Sequence, residues 1–387
     1  MTGVEKADPF VRCDQLETAT GWIYGLEPAA SLPRPSTGPY EALEQALLPA
    51  LQQPPCFVTF SGGRDSSAVL ASAATLARKE GFPLPVPVTR TYPDEPATDE
   101  SEWQRSVVEH LQLSEWIQFA YHQGETDLLG DAARKGLRTD GLLWPPAMHT
   151  HRALYAALGP GSVVTGEGGD AVLGDRRGTP LARLRRGPGR RAAAKSAVAS
   201  LLPGSVHRAR VSRAARNTTH SRWLQPAALA EHAHRIADDV IAEPLRFDEG
   251  TWYLTRLRAF RALTHNHSIV AAEHGLRAFE PLLNENFVAS LARAGGRWGL
   301  GDRTQIMKFL FSDLLPTAVL ERTTKASFNS VYTGQTTRDF AQRWDGSGVD
   351  PSYVDPERLR AVWLSDRPTM STGVLLHSAW LAAGEDA

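Results

Sequence analysis

Ser61-Gly62-Gly63-Arg64-Asp65-Ser66-Ser67 is the stretch whose residue types and spacing point most directly to chemistry. Glycines at 62 and 63 let the backbone pass close to a ligand, and consecutive amides with the hydroxyls of Ser61, Ser66 and Ser67 can surround phosphate oxygens. The start of a following helix adds partial positive charge, so a polyphosphate fits there. The residue order differs from GxxxxGKS/T and from GxGxxG, which removes the usual kinase-type and dinucleotide readings. Asp65 is a carboxylate inside an anion-binding loop, which makes sense if it holds Mg2+ bridging to phosphates; an ordinary helix cap is the plain alternative.

Such a loop needs a frame. CFVTF, residues 56–60, is a short apolar run that ends abruptly in the glycine loop, and AVLASAATLARKEG behind it reads as a small-residue helix. PVPVTRTY reads as a second strand, SEWQRSVVEHLQL as an amphipathic helix, WIQFAY as a third strand, and SVVTG as a fourth that runs into Gly166-Glu167-Gly168-Gly169-Asp170. Strands alternating with helices predict an α/β fold with a doubly wound parallel sheet. Both glycine turns then follow strand ends, where ligands collect in open sheets. Residues 1–54 read as an approach segment, 55–175 as the α/β core, 176–225 as a basic segment and 226–387 as a mostly helical lobe.

SGGRDSS resembles the pyrophosphate loop of the N-type ATP pyrophosphatases, and the later motifs resemble the synthetase domain of asparagine synthetases, over roughly residues 40–385. The resemblance implies an adenine nucleotide alpha hydrolase-like core, with ATP and Mg2+ as cofactors. It also implies a reaction: a carboxylate attacks the ATP α-phosphate, pyrophosphate leaves, and the acyl-adenylate reacts with an amine to give an amide. Ser61, Gly62, Gly63, Asp65, Ser66, Ser67 and Gly166 would bind the nucleotide. Thr165-Gly166-Glu167-Gly168-Gly169-Asp170 resembles the family's SGEGxDE, which implies that Asp170 joins Asp65 on the metal and that Glu167 serves near the reacting amine. Two aspartates from neighbouring strand ends can hold one or two Mg2+ ions, and a carboxylate at 167 can accept the proton an ammonium must lose before it attacks.

Arg322-Thr323-Thr324-Lys325-Ala326-Ser327-Phe328, following Leu315-Pro316, resembles the family's R-x-K-x-x-F segment and implies Lys325 as the catalytic cation. An ammonium on a flexible stem can follow charge from the α-phosphate to the tetrahedral intermediate. Lys308 resembles a further family position and is expected at most to contact phosphate.

The chain also departs from that pattern. Glutamine-dependent asparagine synthetases begin with a Cys after Met1 and a glutaminase domain; here Thr2 follows Met1 and about fifty residues precede the loop, so no glutamine hydrolysis is expected. Ala171 stands where those enzymes have Glu, and their GxExRxPFLD segment reads Gly275-Leu276-Arg277-Ala278-Phe279-Glu280-Pro281-Leu282-Leu283-Asn284, so free aspartate is a weak candidate substrate. The C-terminal third, with LLPTAVLERTTKASFN, WDGSGVDPSYVDPERLRAVW and LLHSAWLA, resembles the cyclases that close the macrolactam ring of lasso peptides, which implies a precursor peptide as substrate and a leader peptidase or leader-binding protein as partner. An amide ligase for a small metabolite, as in β-lactam-forming relatives, is the alternative, and a tRNA-modifying or catalytically idle binding protein the third reading.

Composition fits a folded chain: 42% of the 387 residues are hydrophobic and 22% charged, which excludes disordered, collagen-like and coiled-coil classes. No apolar run reaches membrane-span length, MTGVEKADPF lacks an apolar signal core, and Cys13 and Cys56 are too few for a disulfide framework; a cytoplasmic protein is expected. Net charge is −1, yet thirteen Lys or Arg and no Asp or Glu lie between Arg176 and Arg222. That stretch could clamp an acidic peptide, cover phosphates or be a solvated loop; near-neutral total charge and the lack of an RNA-binding motif argue against nucleic acid. His149, His151, His265 and His267 form HxH pairs, a poor helical spacing for zinc.

Overall fold

The computed structural model describes residues 8–28, 30–122, 124–186, 190–217, 221–324, 326, 328–366 and 368–384. Alternating strands and helices build one parallel sheet from β1 (Cys56–Thr59), β2 (Val86–Thr91), β3 (Ile117–Ala120), β4 (Gly161–Val164) and β5 (Leu276–Phe279). The spatial order is β3-β2-β1-β4-β5. The expected α/β doubly wound sheet is thus the observed fold. Strand order reverses between β1 and β4, and the crevice at such a switch point is where open sheets bind ligands.

Alternation along the strands splits the core into two layers. Phe57, Val86, Val88, Val163, Leu276 and Ala278 pack with Leu154 and Tyr155 of the Met148–Leu158 helix and Val270 and Ala271 of the Arg258–Ala272 helix. Cys56, Val58 and Val164 face the other way, into a larger layer with the Pro39–Leu51, Arg64–Glu80, Glu285–Gly295 and Arg303–Phe311 helices. β5 is an element that sequence patterning did not reveal. Four residues with Arg277 among them carry little strand signal alone, and pairing Val163 with Ala278 and Val164 with Phe279 makes the strand.

The phosphate-loop helix also begins earlier than the small-residue run indicates, at Arg64 instead of beyond Ser67. Gly63, extended at φ −73° and ψ 161°, is its N-cap, so Arg64, Asp65, Ser66 and Ser67 form the first turn. Most of the described basic segment is helical, as Thr179–Arg186, Arg190–Ser200 and Gly204–Arg216. Among the described residues no helix is long and apolar enough to cross a membrane.

Two fully buried histidines tie the C-terminal helix to the sheet-covering layer. His377 bonds the Leu128 carbonyl at 2.9 Å, His149 bonds the Gly141 carbonyl at 3.1 Å, and their rings meet edge-on at 5.4 Å. Burial drives His377 down to about 4, and burial with the neighbouring His377 drives His149 down to about 2. Both lie below the unfolded value of 6.5, so their contribution is complete above pH 6.5 and is lost as pH falls towards the folded values. Thermal unfolding followed by circular dichroism should therefore show stability falling from pH 7 to pH 5, by up to about 1.4 kcal/mol per pH unit for each histidine. A His149→Asn/His377→Gln variant should flatten that slope.

Candidate active site

The SGGRDSS loop is closed by its own side chains before any ligand arrives. Ser66 Oγ bonds the Ser61 backbone N–H at 3.3 Å, Ser61 Oγ at 3.2 Å and the Gly63 carbonyl at 3.1 Å. Ser61 Oγ accepts from Gly63 N–H at 3.3 Å. Gly62 takes φ +80°, a conformation that favours glycine, and Gln104 packs where a side chain would stand. First-turn amides of the helix point outward without intrahelical acceptors, the ordinary make-up of an anion site. Ser67 departs from its expected ligand-binding place: it is fully buried, its N–H donates to the Gly63 carbonyl at 3.0 Å, and its hydroxyl lies in the core layer.

The GEGGD turn lies directly against this loop. A Cβ on Gly166 would sit 2.9 Å from Ser66 N, and one on Gly169 would overlap the Asp65 side chain. Gly166 therefore serves first to let two backbones touch. Glu167 is exposed at the rim, its N–H bonded to Thr165 Oγ1 at 3.3 Å.

Asp65 and Asp170 converge, and a third residue joins them. Arg303 places one guanidinium nitrogen on Asp65 at 2.7 and 2.8 Å and another on Asp170 Oδ1. Side-chain exposure is 16% for Asp65, 60% for Asp170 and 21% for Arg303, so the cluster opens on the Asp170 side. Burial opposes the charge on Arg303, and the two carboxylates outweigh it, holding the guanidinium above its ordinary value. Arg64 is close by; burial and the Arg303 cation lower it. Among the described residues no three or more His, Cys, Asp or Glu side chains gather as a metal-binding set. Magnesium commonly takes one or two carboxylates and completes its octahedron with phosphate oxygens and water, so the pair Asp65 and Asp170 suits it only together with a triphosphate.

Lys325 lies outside the described residues, but its flanks are described. Arg322 is buried and donates to the Gly62 carbonyl of the phosphate loop at 3.0 Å, and Phe328 approaches Tyr92 with ring centroids 6.0 Å apart. Lys308 pairs with Glu321 at the surface. Beyond β5, in line with Thr165, Glu280 pairs with His267 Nδ1, and His267 Nε2 meets the Tyr155 hydroxyl at 2.5 Å. This chain is buried on the sheet face opposite the phosphate-loop helix. Burial pushes the Tyr155 hydroxyl up; Arg90 opposes that, while Glu280 and Glu167 add to it.

Residues 40–382 match the family described as asparagine synthase. The chain belongs to the asparagine synthase family. No curated protein matches it. Family membership makes it an ATP-dependent synthetase that forms amide bonds.

Arg303, His267 and Glu280 carry no site signature in the sequence. Arg303 follows the helix cap Asp302 in an unremarkable amphipathic run, and only its capping box with Gln305 had a local signature. Glu280 stands out in the sequence only as a departure from the GxExRxPFLD pattern.

The contact between the two glycine turns is testable. Gly166→Ala would push against the Ser66 backbone, and the change should destabilise the fold by about 1–3 kcal/mol. ATP affinity should fall with it. Thermal melting and titration with ATP check both; a variant with unaltered ATP affinity would show that the two turns are not coupled.

Proposed function

We propose that this asparagine synthase family member adenylates the side-chain carboxylate of an Asp or Glu in a precursor peptide and joins it to an amine, closing a macrolactam. The observation that carries the adenylation step is the meeting of Asp65 and Asp170 at the ends of β1 and β4 on one cationic group. Two carboxylates so close are suited to a cation that travels with a triphosphate. The peptide substrate rests on the likeness of the C-terminal third to lasso peptide cyclases and on the altered acidic positions, Ala171 and the segment 275–284. The half-buried ring cluster of Tyr92, Tyr121 and Phe328 beside the Lys325 segment adds an apolar wall suited to a peptide.

In this reading Ser61, Gly62, Gly63 and Ser66 hold the β- and γ-phosphates through backbone N–H groups and hydroxyls. Asp65 and Asp170 would hold Mg2+, which when bound would neutralise charge on the triphosphate. The substrate carboxylate oxygen bonds to the α-phosphorus as the bond to pyrophosphate breaks. The amine nitrogen then bonds to the acyl carbon, AMP leaves, and Glu167, at the exposed rim, accepts the proton the amine sheds. Lys325 steadies negative charge on the α-phosphate and then on the tetrahedral centre.

The assay offers MgATP and a peptide with an acidic side chain a few residues from a free N-terminus. Release of pyrophosphate with loss of one water from the peptide mass is expected. Pyrophosphate release only with a small free amino-acid-like substrate would favour the metabolite ligase, and tRNA binding that survives physiological salt would favour a tRNA-directed protein. Asp65→Asn and Asp170→Asn should each abolish pyrophosphate release. Glu167→Gln should keep pyrophosphate release better than amide formation; equal loss of both would refute the base assignment.

A further inference from the structure

One buried carboxylate fastens the chain on both sides of Lys325. Glu100 Oε2 pairs with Arg322, and Glu100 Oε1 accepts from the Ala326 backbone N–H at 2.9 Å. The two side chains are 6% and 5% exposed. Arg322 also donates to the Gly62 carbonyl at 3.0 Å and to the Thr324 hydroxyl at 3.1 Å, and its guanidinium lies 4.7 Å from the Trp103 ring centre. Gln104, one helical turn past Glu100, donates to the Ser61 carbonyl at 3.2 Å. The start of the Ser101–His110 helix therefore grips the phosphate loop and the 322–326 segment at once.

Burying an ion pair is costly, and replacing one with well-packed apolar residues is often neutral or stabilising, so stability alone does not account for this pair. Geometry does. Arg322 presents a planar fork that three acceptors fill from fixed directions, and Ala326 supplies a backbone donor that fixes the chain on the other flank. We propose that Glu100 is a positioning residue that sets the Lys325 segment in register with the phosphate loop. It acts through Arg322 and Ala326. The proposal rests on the adenylation reading of the preceding subsection.

Glu100→Gln keeps the size of the side chain and an acceptor, and removes the charge that holds Arg322. Pyrophosphate release should slow by about 10- to 100-fold, the span for loss of a charged hydrogen bond. ATP affinity should change little, because Gln104 still holds Ser61. Glu100→Asp, which restores the charge, should recover part of the rate. Arg322→Lys serves as a second variant that keeps a charge for Glu100 but loses the fork; turnover should fall and ATP affinity should fall with it, through Gly62. Hydrogen exchange at the Ala326 amide gives a readout independent of activity: protection in the wild type, reduced in Glu100→Gln, whose single oxygen cannot serve Arg322 and Ala326 together.

A wild-type Ala326 amide that exchanges freely would overturn the clasp. Reduced protection in Glu100→Gln with unchanged turnover would overturn the positioning role and leave the adenylation reading intact. Arg322→Lys with wild-type turnover would do the same. A wild type that releases no pyrophosphate with any carboxylate offered would instead strike at the adenylation reading, and the proposal would fall with it.

Discussion

Two carboxylates, Asp65 and Asp170, share a single guanidinium, and the geometry of the cleft follows from that arrangement. Like charges in adjoining loops repel, and with Asp65 at 16% side-chain exposure that repulsion is only partly screened by solvent. Arg303 offsets it from a helix anchored in the core by Ile306, Met307 and Phe311, all fully buried. The β1 and β4 loops can therefore face one another across the switch point without being driven apart.

Around this centre, backbone contacts do more of the positioning than side chains. Gly166 and Gly169 carry no side chain because the phosphate loop occupies the space. Gly62 takes positive φ, and Gln104 fills the space that a side chain there would need. The 322–326 segment is linked to the same place by Arg322. Three stretches of chain, contributed by distant parts of the sequence, thus bear on one short loop, and small displacements in any of them reach the others through contacts that have no slack.

What was legible in the sequence was whatever is written locally. The alternation of apolar runs with glycine turns announced four of the five strands and the α/β fold, and SGGRDSS with GEGGD announced the loops. Asp65 and Asp170 could be paired because their motifs resemble a family's, and the structure brings them together. Arg303, Glu100 and the chain from Tyr155 to Glu280 had no such marker: each matters through a partner far along the chain, and a single sequence carries no record of that pairing. β5 is the same case in backbone form, a segment that is a strand only because β4 lies beside it. Ser67 misled for a different reason, since a helix that begins at Arg64 turns its fourth residue inward.

The late position of β5 has a consequence for how the protein is made. While the ribosome is still extending the chain, β1 to β4 can pair as soon as they emerge, but the outer edge of β4 keeps its N–H and C=O groups unpaired until Leu276–Phe279 leaves the exit tunnel.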